Sequence, residues 1–254
     1  MQGEPSTPAA ETADVETASD GYAARFAGPA GAWMLGVQEH IVVHWLERRP
    51  GATVLDVGGG HGQLAGPLAR AGFPVTVLGS AAVCGRRLQP EVSAGRVRFV
   101  VGDLVALPFA DRSFDVAVSI RLLPHCAQWP RLIAELCRVA RQTVIVDYPT
   151  GQSLNFMSAA LFGAKKKIEK NTRPFILFRH RAVAAEFARQ GFAAAARQGE
   201  FFLPMVLHRV LKCPSLSAAL EGVCGALGLK KMLGSPVLAL FERNTARRSR
   251  NQRK

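Results

Sequence analysis

Apolar side chains recur at helical spacing at Met34, Val37, Ile41, Val42 and Trp45 and stop before Pro50-Gly51, which predicts one amphipathic helix ahead of the first strand. The β-branched run at residues 53–57 (TVLDV) then meets Gly58, Gly59, Gly60 and Gly62. Leu64, Leu68 and Ala69 resume helical spacing as far as Ala71-Gly72, so this stretch reads as strand, glycine turn, helix. Short apolar runs at residues 75–78, 97–101, 116–120 and 144–146 predict four more strands, and Leu132, Ile133, Leu136 and Val139 mark a helix between the last two. Strands that alternate with helices imply a buried parallel sheet.

After Pro149 the rhythm breaks, and about thirty residues pass before the next helix, expected over 181–190 and ended by Gly191. An insertion of that length, about 150–180, reads as a lid. A strand near 200–203, a helix carrying Leu216, Leu220, Val223 and Leu227, and a last strand at 237–241 complete the pattern. The expected organisation is a flexible acidic leader (1–20), one α/β domain (21–243) and a basic tail (244–254).

Composition fits this picture. Of 254 residues, 48% are hydrophobic and 20% charged, enough to bury a core, and no run reaches the roughly 18 to 20 uncharged residues of a membrane-spanning helix. Cys84, Cys126, Cys137, Cys213 and Cys224 are scattered, odd in number and without a CxxC pair, which excludes a disulfide framework and points to a reducing, cytoplasmic setting. The first twenty residues lack the basic start and apolar stretch of a secretory signal. Five acids in the leader balance five bases in the tail, so the net charge of +13 belongs to the middle of the chain and favours an anionic partner.

The glycine turn carries the chemistry. A parallel strand that delivers Gly-x-Gly-x-Gly into a helix start turns backbone N–H groups and the positive end of a helix toward a ligand. Gly60, Gly62 and Ala65 fit a dinucleotide fingerprint, in which Ser80, Arg86 and Arg87 would hold an NADP phosphate. Asp56 inside the first strand and Asp103 after the third lie outside that fingerprint.

VLDVGGGHG (54–62), GDLVALPFADRSFDVAV (102–118) and ELCRVAR (135–141), in this order and spacing, resemble the class I S-adenosylmethionine-dependent methyltransferases, among them the small-molecule group with the quinone-biosynthesis enzymes. The match runs from about residue 22 to 149 and weakly to 241. The resemblance implies a Rossmann-like doubly wound sheet of seven strands, the last antiparallel, with S-adenosyl-L-methionine as cofactor. It further implies that Asp56 orients the glycine loop and the ligand's amino group, that Gly58, Gly60 and Gly62 admit the methionine portion, and that Asp103, with the Leu104 backbone, meets the adenine. Tyr22 or Arg25 would reach the ligand's carboxylate from an N-terminal segment. A capping or turn role is the alternative for Asp103, and plain packing for Tyr22.

One position departs from the family. Strand two usually ends in an acid that holds the ribose hydroxyls, whereas this chain reads Val77-Leu78-Gly79-Ser80. Ser80 or water would then do that work, or the ribose is held from elsewhere.

The acceptor is expected beyond strands four and five. Arg121 and His125 follow strand four and Asp147 ends strand five. His125 suits a base that takes a proton from an acidic hydroxyl or carbon, with helix packing as the alternative; Arg121 and Asp147 are substrate-binding candidates, Asp147 with capping as its alternative. No cluster of acids or histidines has open metal spacing, and His40 and His44, one helical turn apart, lack a third ligand, so no metal is expected.

Within the insertion, Lys165, Lys166, Lys167 and Lys170 follow Phe156, Met157, Leu161 and Phe162, which suits peripheral contact with a membrane, the basic rim of an acceptor pocket, or an ordinary solvated lid. The expected partner is a hydrophobic, anionic or lipid-like small molecule methylated on oxygen or carbon. An NAD(P) oxidoreductase and a non-catalytic scaffold are the alternatives. An RNA methyltransferase ranks below them, since only two tyrosines occur and no RNA-binding appendage is recognisable, so no specific nucleic acid is expected.

Overall fold

The computed structural model describes residues 11–153 and 175–244. Three helices come first: α1 (Ala13–Thr17), α2 (Asp20–Ala24) and α3 (Gly28–Leu46). The α/β repeat follows with β1 (Val54–Val57), α4 (Ala65–Arg70), β2 (Val75–Gly79), a 3₁₀ turn (Ala82–Leu88), α5 (Gln89–Ser93), β3 (Val97–Val101), β4 (Phe114–Ser119), α6 (Trp129–Val139) and β5 (Ala140–Tyr148). The last part comprises α7 (His180–Arg189), β6 (Phe192–Gly199), α8 (Met205–Leu211), α9 (Pro214–Ala226), α10 (Leu229–Leu233) and β7 (Val237–Arg243).

The seven strands form one sheet in the order β3-β2-β1-β4-β5-β7-β6. β1 to β5 run parallel, and β7 inserts antiparallel between β5 and β6, with Val146 opposite Ala239. Both faces of the central strands are buried, which is why their sequences read as unbroken apolar runs. Leu55, Val57, Ala117, Val144 and Val146 point toward α6 and α7, while Val54, Val77, Val116, Val118 and Ile145 meet the residues of α3 and α4. This is the doubly wound seven-stranded fold with its antiparallel last strand.

From β1 the chain winds outward through β2 to β3, and then restarts on the other side at β4. The carboxyl ends of β1 and β4 therefore flank the switch point, where such sheets open a ligand crevice.

Two expectations change. The strand sought at 200–203 lies earlier, at Phe192–Gly199; its Ala-rich sequence on the sheet edge has no apolar alternation to reveal it. The boundary at residue 20 also falls inside packed structure, because Ala13 and Asp14 of α1 are fully buried. The Lys165–Lys170 cluster and most of the insertion lie outside the described residues.

Candidate functional site

β1 delivers Asp56 to the crevice beneath the glycine turn. Gly58 and Gly62 adopt φ of +76° and +78°, in the left-handed region that side chains disfavour, and a Cβ on Gly59 would lie 2.0 Å from Asp56 Oδ2. Gly60 closes against the backbone of Cys84, where a Cβ would come within 2.5 Å of the carbonyl oxygen. The glycines thus let the main chain fold tightly over the carboxylate. Asp56 Oδ1 is buried and has no hydrogen-bond partner, and burial pushes the carboxyl up to about 7, only partly offset by the Arg121 cation. A buried acceptor without a donor suits a cationic ligand group.

Residues 11–20 lie across this crevice. Ser80, at the end of β2, donates its N–H to Asp14 Oδ2 at 2.7 Å and its hydroxyl to Asp14 Oδ1. The carboxylate of α1 thus occupies the end of β2, where this chain has no acid of its own. Glu11 accepts from the amide of Ala127 at 3.1 Å on the opposite side, beyond β4, and Asp20 pairs with both Arg86 and Arg87. Between Thr17 of α1 and the glycine turn remains a cavity of about 20 Å³ lined by Asp56, Gly58, His61 and Arg121, room for about one water. Asp103 Oδ1 accepts from the Val105 amide at 2.9 Å, a turn contact, and the Leu104 side chain belongs to the core.

A second, larger cavity of about 190 Å³ adjoins it, with Arg121 in both walls. Met34, Leu35, Phe175, Phe201 and Met205 give it apolar walls; Arg25, Arg121 and Arg209 bring cations; His125, Asp147 and Glu200 also line it. Tyr22 lines this cavity beside the glycine turn, its ring 5.9 Å from the guanidinium carbon of Arg121. His125 ends a short 3₁₀ turn (Leu123–His125), its ring 5.6 Å from that of Phe175.

A hydrogen-bonded chain joins the two cavities. Gln63, in the glycine turn, donates to Gln38 Oε1 at 2.5 Å, and Gln38 Nε2 donates to Glu200 Oε1 at 2.7 Å and to Asp147 Oδ2 at 3.2 Å. Asp147 Oδ1 accepts the Arg121 amide at 2.5 Å. Both carboxyls are buried, which raises them well above the usual carboxylate range; the charge of Asp147 raises Glu200 further.

Glu200, Gln38, Gln63, His61 and Asp14 are site residues that sequence reasoning missed. His61, inside the glycine motif, was open to view: its ring sits edge-on to Tyr22 and Phe26 at 6.1 and 6.0 Å, and burial together with the nearby Arg121 and Arg87 lowers its pKa to about 4. Gln38 and Glu200 lie far apart in sequence and outside any motif. Asp14 looked like one of several solvated leader acids.

Residues 55–146 match the family model described as "Methyltransferase domain". The chain is 35% identical over 112 residues to a ubiquinone/menaquinone biosynthesis C-methyltransferase of Dinoroseobacter shibae, covering 41% of this chain and 44% of that protein. It is 30% identical over 231 residues to a malonyl-[acyl-carrier protein] O-methyltransferase of Methylococcus capsulatus, covering 78% of each. The match to the first of these thus spans less than half of that relative. Among solved structures, the magnesium protoporphyrin IX methyltransferase of Synechocystis PCC 6803 with bound SAH superposes with a TM-score of 0.62 at 17% identity, over 90% of this chain and 96% of that one.

Proposed function

Because this chain belongs to the class I S-adenosylmethionine-dependent methyltransferases, we propose that it transfers the methyl group of S-adenosylmethionine to an oxygen or carbon of a hydrophobic small molecule bearing an anionic group. The observation that carries the acceptor class is the 190 Å³ cavity, with apolar walls and three arginines, that shares Arg121 with the glycine crevice. Arg121 and Arg25 would meet the anionic group, and Met34, Phe201 and Met205 the apolar body. The cavity is smaller than the roughly 300 Å³ at which ligand-sized pockets begin, so it suits the reacting head of an acceptor whose remainder lies outside.

The residues present fit the cofactor. Asp56 Oδ1 would receive its ammonium group, the Gly58–Gly62 main chain would lie along its methionine portion, and Asp103 and the Leu104 backbone would meet its adenine, as the family resemblance expects. Bound S-adenosylmethionine supplies an electrophilic methyl carbon. The protein's own part is alignment and exclusion of water, with His125 as the base when the acceptor must lose a proton. A nucleoside is too large for the 20 Å³ that α1 leaves, so entry lifts α1 off Ser80.

Family membership displaces the oxidoreductase reading, and the ion pairs of Arg86 and Arg87 with Asp20 already engage the cations that an NADP phosphate would need. Titration calorimetry tests the core of the proposal: S-adenosylhomocysteine binds and NADPH does not. NADPH binding alone would overturn it. Incubation of the protein with cell extract and isotope-labelled donor, followed by mass spectrometry, tests the acceptor class; label confined to hydrophilic or cationic products would overturn that part.

A further inference from the structure

α9 is built inside out. Its buried side chains are polar, Ser217 and Glu221, while the stripe Leu216, Leu220, Val223 and, at the C-cap, Leu227 faces outward, with Val223 61% and Leu227 69% exposed. Polar contacts hold it this way round. Glu221 accepts the amides of Phe202 at 3.0 Å and Leu203 at 2.9 Å and pairs with the buried His208 of α8 at 3.1 Å. An ordinary surface helix presents the opposite faces.

The neighbouring helices extend the surface. Val206, Leu207 and Val210 of α8 and Met232 and Leu233 of α10 are exposed as well, Val210 at 72% and Met232 at 75%. Single exposed apolar residues are ordinary, but here nine fall within residues 206–233, on three consecutive helices of which α8 packs on α9 and α9 on α10. Its charge has one sign. Lys212 and Lys231 are exposed on the same segment, and the only carboxylate in residues 201–241 is Glu221, which is buried. Exposed apolar side chains on a segment whose exposed charges are basic match the interface of an anionic bilayer, where methyl groups enter the acyl boundary and cations stay with the headgroups. α8 also walls the larger cavity through Met205 and Arg209, so the same helix borders both the cavity and the patch.

We propose that the outer faces of α8, α9 and α10 dock the protein on the surface of a membrane that contains anionic lipid. This docking does not depend on the methyl-transfer reading, and it differs from the contact expected at Lys165–Lys170.

Co-sedimentation of the full chain with vesicles tests it, comparing vesicles containing phosphatidylglycerol with vesicles of phosphatidylcholine alone, at about 0.05 M and about 0.5 M salt. The protein is expected to pellet with the anionic vesicles and to be released in part by salt. The triple variant Val210→Glu, Val223→Glu, Leu227→Glu should lose at least about tenfold in vesicle affinity with an unchanged thermal midpoint, because all three side chains are exposed. Lys212→Gln with Lys231→Gln should remove most of the salt-sensitive part. Equal binding by the triple variant would overturn the assignment, as would a parent protein that ignores vesicles. So would dimerisation in ultracentrifugation that the same three substitutions abolish, since a second copy would then cover the face.

Discussion

The carboxylate of Asp147 accepts the backbone N–H of Arg121 at 2.5 Å and so holds a non-glycine residue at φ +61°. That backbone turn aims the guanidinium over Phe26, 4.6 Å from the ring centroid, in the wall shared by the two cavities. Asp147→Ala leaves the Arg121 amide and the Gln38 side chain each short of an acceptor, and should cost about 1–3 kcal/mol in urea denaturation. Asp147→Asn keeps an oxygen for the amide and should cost less; equal losses would contradict the positioning role.

Burial raises both Asp147 and Glu200, so the folded chain keeps protons that the unfolded chain sheds near the ordinary carboxylate values of about 4. Their contribution to stability is therefore full below about pH 4 and is lost as pH rises through the raised values. Stability of the unliganded protein should fall from about pH 5 to about pH 8, and Glu200→Gln, which preserves the contact with Gln38, should flatten that fall. Denaturation midpoints across this range give the slope; an unaltered slope in the variant would remove Glu200 as its source.

Asp56 makes a related prediction of opposite sign. With its carboxyl raised to about 7, an incoming ammonium group must first displace a proton at lower pH, so S-adenosylhomocysteine should bind more tightly at about pH 8 than at about pH 6. Asp56→Asn should abolish that dependence and weaken binding by about 10- to 100-fold, the worth of a charge-assisted hydrogen bond, without lowering the melting temperature. Calorimetry at the two pH values decides it.

If α1 occupies cofactor space, the contact between Asp14 and Ser80 competes with the ligand, and only the fraction of molecules with α1 lifted can bind. Asp14→Ala should therefore tighten S-adenosylhomocysteine binding and expose the leader to protease in the unliganded protein. Weaker binding in this variant would instead make Asp14 a ligand-holding residue.

His125→Ala should bind S-adenosylhomocysteine like the parent and turn over about 10² to 10⁴ times more slowly, the usual worth of a general base. Parent-level turnover would leave His125 a wall of the cavity and nothing more.

Local periodicity made β1 to β5, the glycine turn and β7 legible, because each strand is a short apolar run, and helices cover both faces of the central ones. Asp56 was legible as the one acid inside these apolar runs. Spatial coincidence stayed hidden: Gln38 and Glu200 meet across 162 residues, and Asp14 reaches Ser80 across 66. α9 shows a different limit. Its leucine stripe identified a helix correctly but not which face turns inward, since the three polar contacts of Glu221 outweigh the usual preference for burying leucine.

The placement of β7 between β5 and β6 has a consequence for synthesis on the ribosome. Until residues 237–243 have emerged, β5 keeps an open edge and β6 has no neighbour on either side, so the nascent chain holds three unsatisfied strand borders through the translation of more than forty residues after Phe192. Truncation just before Val237 is accordingly expected to yield an aggregating polypeptide rather than a smaller stable enzyme, and chaperone engagement should fall once that final strand has cleared the exit tunnel.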